Sequence, residues 1–274
     1  MAKATIAIDP VTRIEGHLKA QVVVENGKVV DAHLTGGMFR GFEQILKGRD
    51  PRDSTQIVQR ICGVCPVSHA HASSIAGDKA YGITISNNAR IVRNLLEGAQ
   101  FLHSHILWFY TLAALDYVNP LNALKANVGS AYDLVEAAGT SCQSDLKALQ
   151  ERLTKFAENG QLSIFSGNWW KNGQSDTEFK LPAELDLIAT AHYIEALTMQ
   201  SKASEVCALL GGKMPHVMTI VPGGTSFVPT EEKLDDLWSL VHELRDWIKA
   251  TIIPDTKAIA PYYKEALSFG KGCG

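Results

Sequence analysis

Ala20-Gln21-Val22-Val23-Val24-Glu25-Asn26-Gly27-Lys28-Val29-Val30-Asp31-Ala32-His33-Leu34 is a pair of β-forming runs joined by Asn-Gly. The branched valines favour an extended, half-buried pleat. Asn26 and Gly27 both tolerate positive φ, which a two-residue type I′ turn requires. The stretch therefore predicts an antiparallel hairpin. An earlier run, Ala4 to Ile8, is placed to pair beside it. Residues 1–40 read as a β region.

Beyond residue 41 the pattern turns helical. Asp50 with Pro51 predicts an N-cap and first turn for a helix through Val58. Pro66 opens another that ends before Gly82. Residues 88–118 form a long helix with apolar positions at Ile91, Leu95, Leu102, Ile106, Phe109 and Ala113. Further helices are expected from about Leu134 to Ala157 and from Pro182 to Leu210, the latter stopped by Gly211-Gly212. Two more are expected from a Thr230 cap to about Ile252 and from Asp255 to Leu267. A polar surface loop lies at about 160–181. The fold class is α+β, mostly α: a small N-terminal antiparallel sheet followed by a long-helix bundle over 41–274.

A net charge of −3 gives no electrostatic reason to bind nucleic acid or an anionic membrane. No run approaches the length and apolarity of a membrane span. The most apolar stretch, Phe101 to Val118, carries His103, Ser104, His105 and Asp116 and reads as a buried helix. The first residues lack the basic and apolar regions of a signal peptide.

Five cysteines do not make a disulfide framework, but Cys62 and Cys65 form one C-x-x-C pair. Cys142 and Cys207 sit in helical patterns and read as small core residues. In Arg60-Ile61-Cys62-Gly63-Val64-Cys65-Pro66-Val67-Ser68-His69, two thiols three residues apart can hold one metal or bridge two. Gly63 permits a tight turn. Pro66 sets a helical first turn and leaves Cys65 near the N-cap, where the helix dipole favours a thiolate. His69 follows one turn later. Half of a zinc site and a thioredoxin-like redox pair remain alternatives on spacing alone.

Upstream, Asp9-Pro10-Val11-Thr12-Arg13-Ile14-Glu15-Gly16-His17 places Glu15 just before a strand, where partial burial would raise its pKa for proton relay. A surface pair of Arg13 with Glu15 is the plainer alternative. Glu43, in Phe42-Glu43-Gln44-Ile45, is either a solvated residue or a hard-metal ligand.

Arg13 to His17, taken together with Arg60 to His69, resembles the two N-terminal signatures of nickel–iron hydrogenase large subunits. The resemblance runs along essentially the whole chain, as in Gly211-Gly212-Lys213-Met214-Pro215-His216, and is strongest to the uptake-type and selenium-containing branches. It implies that Cys62 is a terminal nickel ligand and that Cys65 bridges nickel to an iron carrying CO and cyanide. It implies a hydrogen bond from His69 to the bridging thiolate, proton acceptance by Glu15, and a share for Glu43 in holding magnesium or a similar ion. The implied reaction is reversible heterolytic cleavage of H2, with electrons passed to a small subunit that carries iron–sulfur clusters.

Two departures accompany the resemblance. Ser104 stands where many members carry aspartate, as in the selenium-containing branch. The family's C-terminal Asp-Pro-Cys-x-x-Cys-x-x-His motif is absent, and Cys142, Cys207 and Cys273 form no C-x-x-C pair to replace it. A second polypeptide carrying that half is therefore expected, with a truncated or cleaved product as the alternative. Rival readings are a sensory hydrogenase and a complex-I-like electron-transfer or docking module. The expected location is periplasmic or membrane-associated through co-export with the small subunit, with the cytoplasm as the alternative.

Overall fold

The computed structural model describes residues 3–165 and 179–265. The first element is a three-stranded antiparallel sheet in the order β1 (Lys3–Ile8), β2 (Leu18–Glu25), β3 (Lys28–Gly36). Glu25 pairs with Lys28, and the turn between them has φ of 56° at Asn26 and 75° at Gly27, as a type I′ turn demands. Register shifts once, between Val23 and Val24, at a bulge.

Helices follow: α1 (Phe42–Leu46), α2 (Ser54–Val58), α3 (Pro66–Tyr81), α4 (Asn87–Ile106), α5 (Pro120–Ala123), α6 (Val128–Ala138), α7 (Leu146–Glu158) and α8 (Ala183–Gly211). A short hairpin, β4 (Ile220–Val221) with β5 (Gly224–Thr225), precedes α9 (Glu231–Trp247) and α10 (Ile253–Ile259). The fold is α+β and mostly α. Among the described residues no helix is long and apolar enough to cross a membrane.

Several caps stand where the sequence put them. Asp50 accepts from Arg52 N, although the turn it starts is 3₁₀ (Pro51–Asp53) before α2 begins. Gly82 ends α3 and Gly212 ends α8, both left-handed, and Thr230 accepts from Lys233 N at the start of α9. The expected surface loop falls largely on residues outside the described ones, as do Leu267 and Cys273.

Three expectations need correction. The segment expected as one helix from Leu134 to Ala157 is two. Gly139, at φ 60°, closes α6, and Asp145 caps α7 by accepting from Lys147 N and Ala148 N. Cys142 is consequently a loop residue, not a helical one. The long helix over 88–118 is α-helical only to Ile106. A π-helical turn (Leu107–Ala113) and a 3₁₀ turn (Ala114–Asp116) continue it. Its buried face also differs from the apolar one read from sequence. Ile91 and Leu95 are exposed, while Arg93, Leu96, Gln100, His103 and Ile106 are buried. Ile106 is buried as the apolar pattern implies, but polar residues occupy part of the buried stripe, so an apolar count misplaces the rest of it.

The chain divides into two compact units, one of residues 1–94 with 215–226 and one of residues 95–214 with 227–274. In the first, Arg93 joins three elements. Its guanidinium meets Asp78 at 2.6 Å and donates to Gly224 O at 3.0 Å and Val221 O at 2.7 Å, while Gly223 N donates to Asp78 at 2.6 Å. Both side chains are almost fully buried. Gly77 admits this approach, since a Cβ there would lie 3.2 Å from Pro222. In the second unit α5, α6, α7 and α8 share a core built on Ala123, Ala131, Leu146, Leu149, Leu153, Leu187 and Ile188. α8 is buried around its whole circumference near Asp186 to His192, the mark of a central helix.

Candidate metal centre

The first unit holds every residue that the sequence singled out for metal chemistry. A 3₁₀ turn (Gln59–Ile61) ends at Cys62, whose backbone is extended, and α3 begins at Pro66 with Cys65 as its N-cap residue. Both thiols are free and half-buried. Val64 N donates to Cys62 Sγ at 3.3 Å, a bond that lets the backbone support charge on that sulfur.

Burial pushes the Cys65 thiol up to about 12, reinforced by a hydrogen bond with Cys62 and by the neighbouring Cys62 and Glu15 charges. This corrects the expectation from its place at a helix start. Without a cation the Cys65 thiol keeps its proton, because its negative neighbours and desolvation outweigh the dipole. A soft cation would remove that proton on binding.

Glu15 therefore stands electrostatically beside the pair, but it is exposed in the connection between β1 and β2. The expectation of partial burial for Glu15 fails. Among its neighbours Arg13 and Gly16 have φ of 60° and 95°, so the connection is tightly folded. His69 is half-buried on α3, its N–H donating to Cys65 O at 3.4 Å, and burial lowers its pKa, so the imidazole is neutral near pH 7. Glu43 is exposed in the first turn of α1. Among the described residues it does not gather with two other metal-ligating groups.

Sequence reasoning missed the residues that hold the loop in place. Arg40 donates to Arg60 O at 2.9 Å and to Ile61 O through its other terminal nitrogen, clamping the carbonyls just before Cys62. Gln59, fully buried, donates to Thr55 O at 3.2 Å and to Val217 O at 3.0 Å. A buried glutamine three residues before a cysteine is a faint signal at best. Arg40 gives none, because its targets are backbone atoms twenty residues away.

Two adjacent thiols with a carboxylate at their edge form a soft donor set, suited to nickel and low-valent iron. The nickel-dependent hydrogenase family profile matches residues 40–274, and a HoxL-like profile matches residues 5–35. The chain belongs to the nickel-dependent hydrogenase family. It is 40% identical to the hydrogenase-2 large chain of Escherichia coli K12, over 97% of this chain and 48% of that one. It is also 40% identical to the periplasmic [NiFeSe] hydrogenase large subunit of Desulfomicrobium baculatum, over 98% of this chain and 46% of the relative. The solved Ni-Fe-Se hydrogenase of D. vulgaris Hildenborough in its as-isolated oxidised state superposes with a TM-score of 0.71 at 43% identity. That match covers 96% of this chain and 46% of the other. The chain thus spans about half the length of the relatives it matches.

Proposed function

We propose that this chain supplies two of the four metal thiolates of a nickel–iron hydrogenase, the enzyme that cleaves H2 heterolytically and reversibly. The observation that carries the reading is the pair of half-buried free thiols, Cys62 and Cys65, hydrogen-bonded to each other with Glu15 acting on Cys65. Cys62 and Cys65 would hold the nickel–iron group through their sulfurs. The other two thiolates come from polypeptide outside these 274 residues. Electrons leave through an iron–sulfur small subunit. When bound, the nickel–iron group supplies the site at which H2 is polarised and split.

The chain's own residues do the rest. Arg40 and Gln59 fix the backbone before Cys62, so the thiols meet the metals without first reorganising. Glu15, exposed beside the sulfurs, accepts the proton that reaches a thiolate and passes it to solvent. His69, neutral and one turn along α3, donates to the Cys65 sulfur. Glu43 helps hold a magnesium or similar divalent ion. The complex works in the periplasm or at a membrane, exported with its small subunit.

Cys65→Ser is expected to abolish nickel and iron incorporation in the purified complex, while Glu15→Gln retains both metals and loses H/D exchange. Nickel and iron at wild-type levels in Cys65→Ser would overturn the ligand assignment. Undiminished exchange in Glu15→Gln would overturn the proton role.

A further inference from the structure

The second unit contains a polar cluster that the hydrogenase reading leaves unused. His192 is fully buried on α8, and its Nδ1 lies 2.8 Å and 2.9 Å from the two carboxylate oxygens of Asp255. The opposite nitrogen, Nε2, is also buried and has no hydrogen-bond partner. An imidazole held on one edge and left bare on the other is a costly arrangement in an apolar interior. The ring also interacts with Cys142. One donor atom each from Cys142, His192 and Glu195 all lie within 4.8 Å of one another.

The surroundings are built to hold these groups. Glu195 Oε1 accepts from Gln143 N at 2.8 Å, Ser144 N at 3.0 Å and Ser144 Oγ at 2.9 Å, which fixes the loop that carries Cys142. Its Oε2 has only a 3.3 Å bond from the Trp247 indole and keeps lone-pair capacity. Asp255 also accepts from the Tyr110 hydroxyl at 2.7 Å. Tyr110 lies in the π-helical turn of 107–113, and a second π-helical turn (Ile248–Ile252) lies between Trp247 and Asp255. Its Ala250 carbonyl takes bonds from Ser141 N at 2.9 Å and Thr140 Oγ1 at 2.8 Å. Two rare backbone distortions thus serve one cluster, as π turns often do at functional sites.

We propose that Cys142, His192 and Glu195 bind a thiophilic divalent cation of the zinc class, with Asp255 orienting the imidazole. Thiolate, imidazole and carboxylate are the three donor types zinc takes, at bond lengths of about 2.0–2.3 Å. The aspartate on the far ring nitrogen is the usual support for a metal-bound histidine. On binding, Cys142 coordinates as its thiolate and His192 through a neutral ring nitrogen, and any protons they give up pass to solvent. Cys142 is half-buried.

The full chain with Cys62→Ser and Cys65→Ser removes the other thiol pair and isolates this site. After exposure to zinc and desalting it should retain equimolar zinc, and zinc should raise its unfolding midpoint. In that background Cys142→Ser and Glu195→Gln should each weaken zinc about 100-fold or more, and Asp255→Asn about 10–100-fold. Cys207→Ala should leave zinc affinity unchanged. Zinc should also slow alkylation of Cys142. Failure of the Cys62→Ser, Cys65→Ser chain to retain zinc would overturn the site. So would retention insensitive to Cys142→Ser, a change at a half-buried loop position.

Discussion

The chain presents thiols in two contrasting settings. Cys62 and Cys65 lie half-buried between a 3₁₀ turn and α3, with the exposed Glu15 acting on Cys65. Cys142 meets an imidazole and a carboxylate that are already held by Asp255, Ser144 and Trp247. The first setting is fixed through its backbone, by Arg40 and Gln59, and leaves its side chains open to groups from elsewhere. The second is fixed through its side chains and is closed within the chain. A site completed by groups from elsewhere needs rigid, accessible donors, whereas one assembled inside a helical unit needs its charges satisfied locally.

Breaking the open site has the largest expected effect. Cys62→Ser should leave the complex without nickel and without H2-dependent dye reduction, while Cys207→Ala keeps both. Metal analysis and a turnover assay check this together. In the closed site, Asp255→Ala removes the partner of both His192 and Tyr110 and should cost about 3–5 kcal/mol, read as a lower midpoint in urea. Arg93→Ala should cost a similar amount in the first unit, by stranding Asp78.

Arg40→Ala should act more gently. It loses two bonds at an exposed position, about 1 kcal/mol, and should weaken nickel retention about tenfold without shifting the fold. The smallest effect concerns pH. Burial alone would raise the Asp78 carboxyl, but Arg93 and Gly223 N outweigh it and hold it below the ordinary 3.8. Its folded pKa is depressed, so its stabilisation is present above 3.8 and is lost as pH falls through the lowered value. Acid unfolding curves of the wild type and Asp78→Asn should differ above that window and converge below it.

Much of this was legible in the residues themselves. Asn26-Gly27, Gly82, Gly212 and Thr230 act within a few residues of where they stand, so turns and caps follow from local chemistry. Cys62, Cys65 and Glu15 stand out as candidates through paired motifs. The buried face of α4 was not, because Arg93, Gln100 and His103 are buried by partners that a polarity pattern does not show. Gly139 and Asp145 did carry a readable break, a left-handed stop followed by an N-cap, and reading it would have freed Cys142 from its helical assignment. The pairing of His192 with Asp255 spans 63 residues and leaves no trace in spacing.

The central claim is that these two thiols hold nickel and iron together with thiolates from outside the 274 residues. Native mass spectrometry with metal analysis of the purified complex tests it directly. The account predicts nickel and iron equimolar with this chain, a polypeptide bearing the Cys-x-x-Cys-x-x-His motif in the same particle, and loss of both metals in Cys62→Ser, Cys65→Ser. Nickel and iron retained by the 274 residues without that motif, or retained after both substitutions, would contradict it.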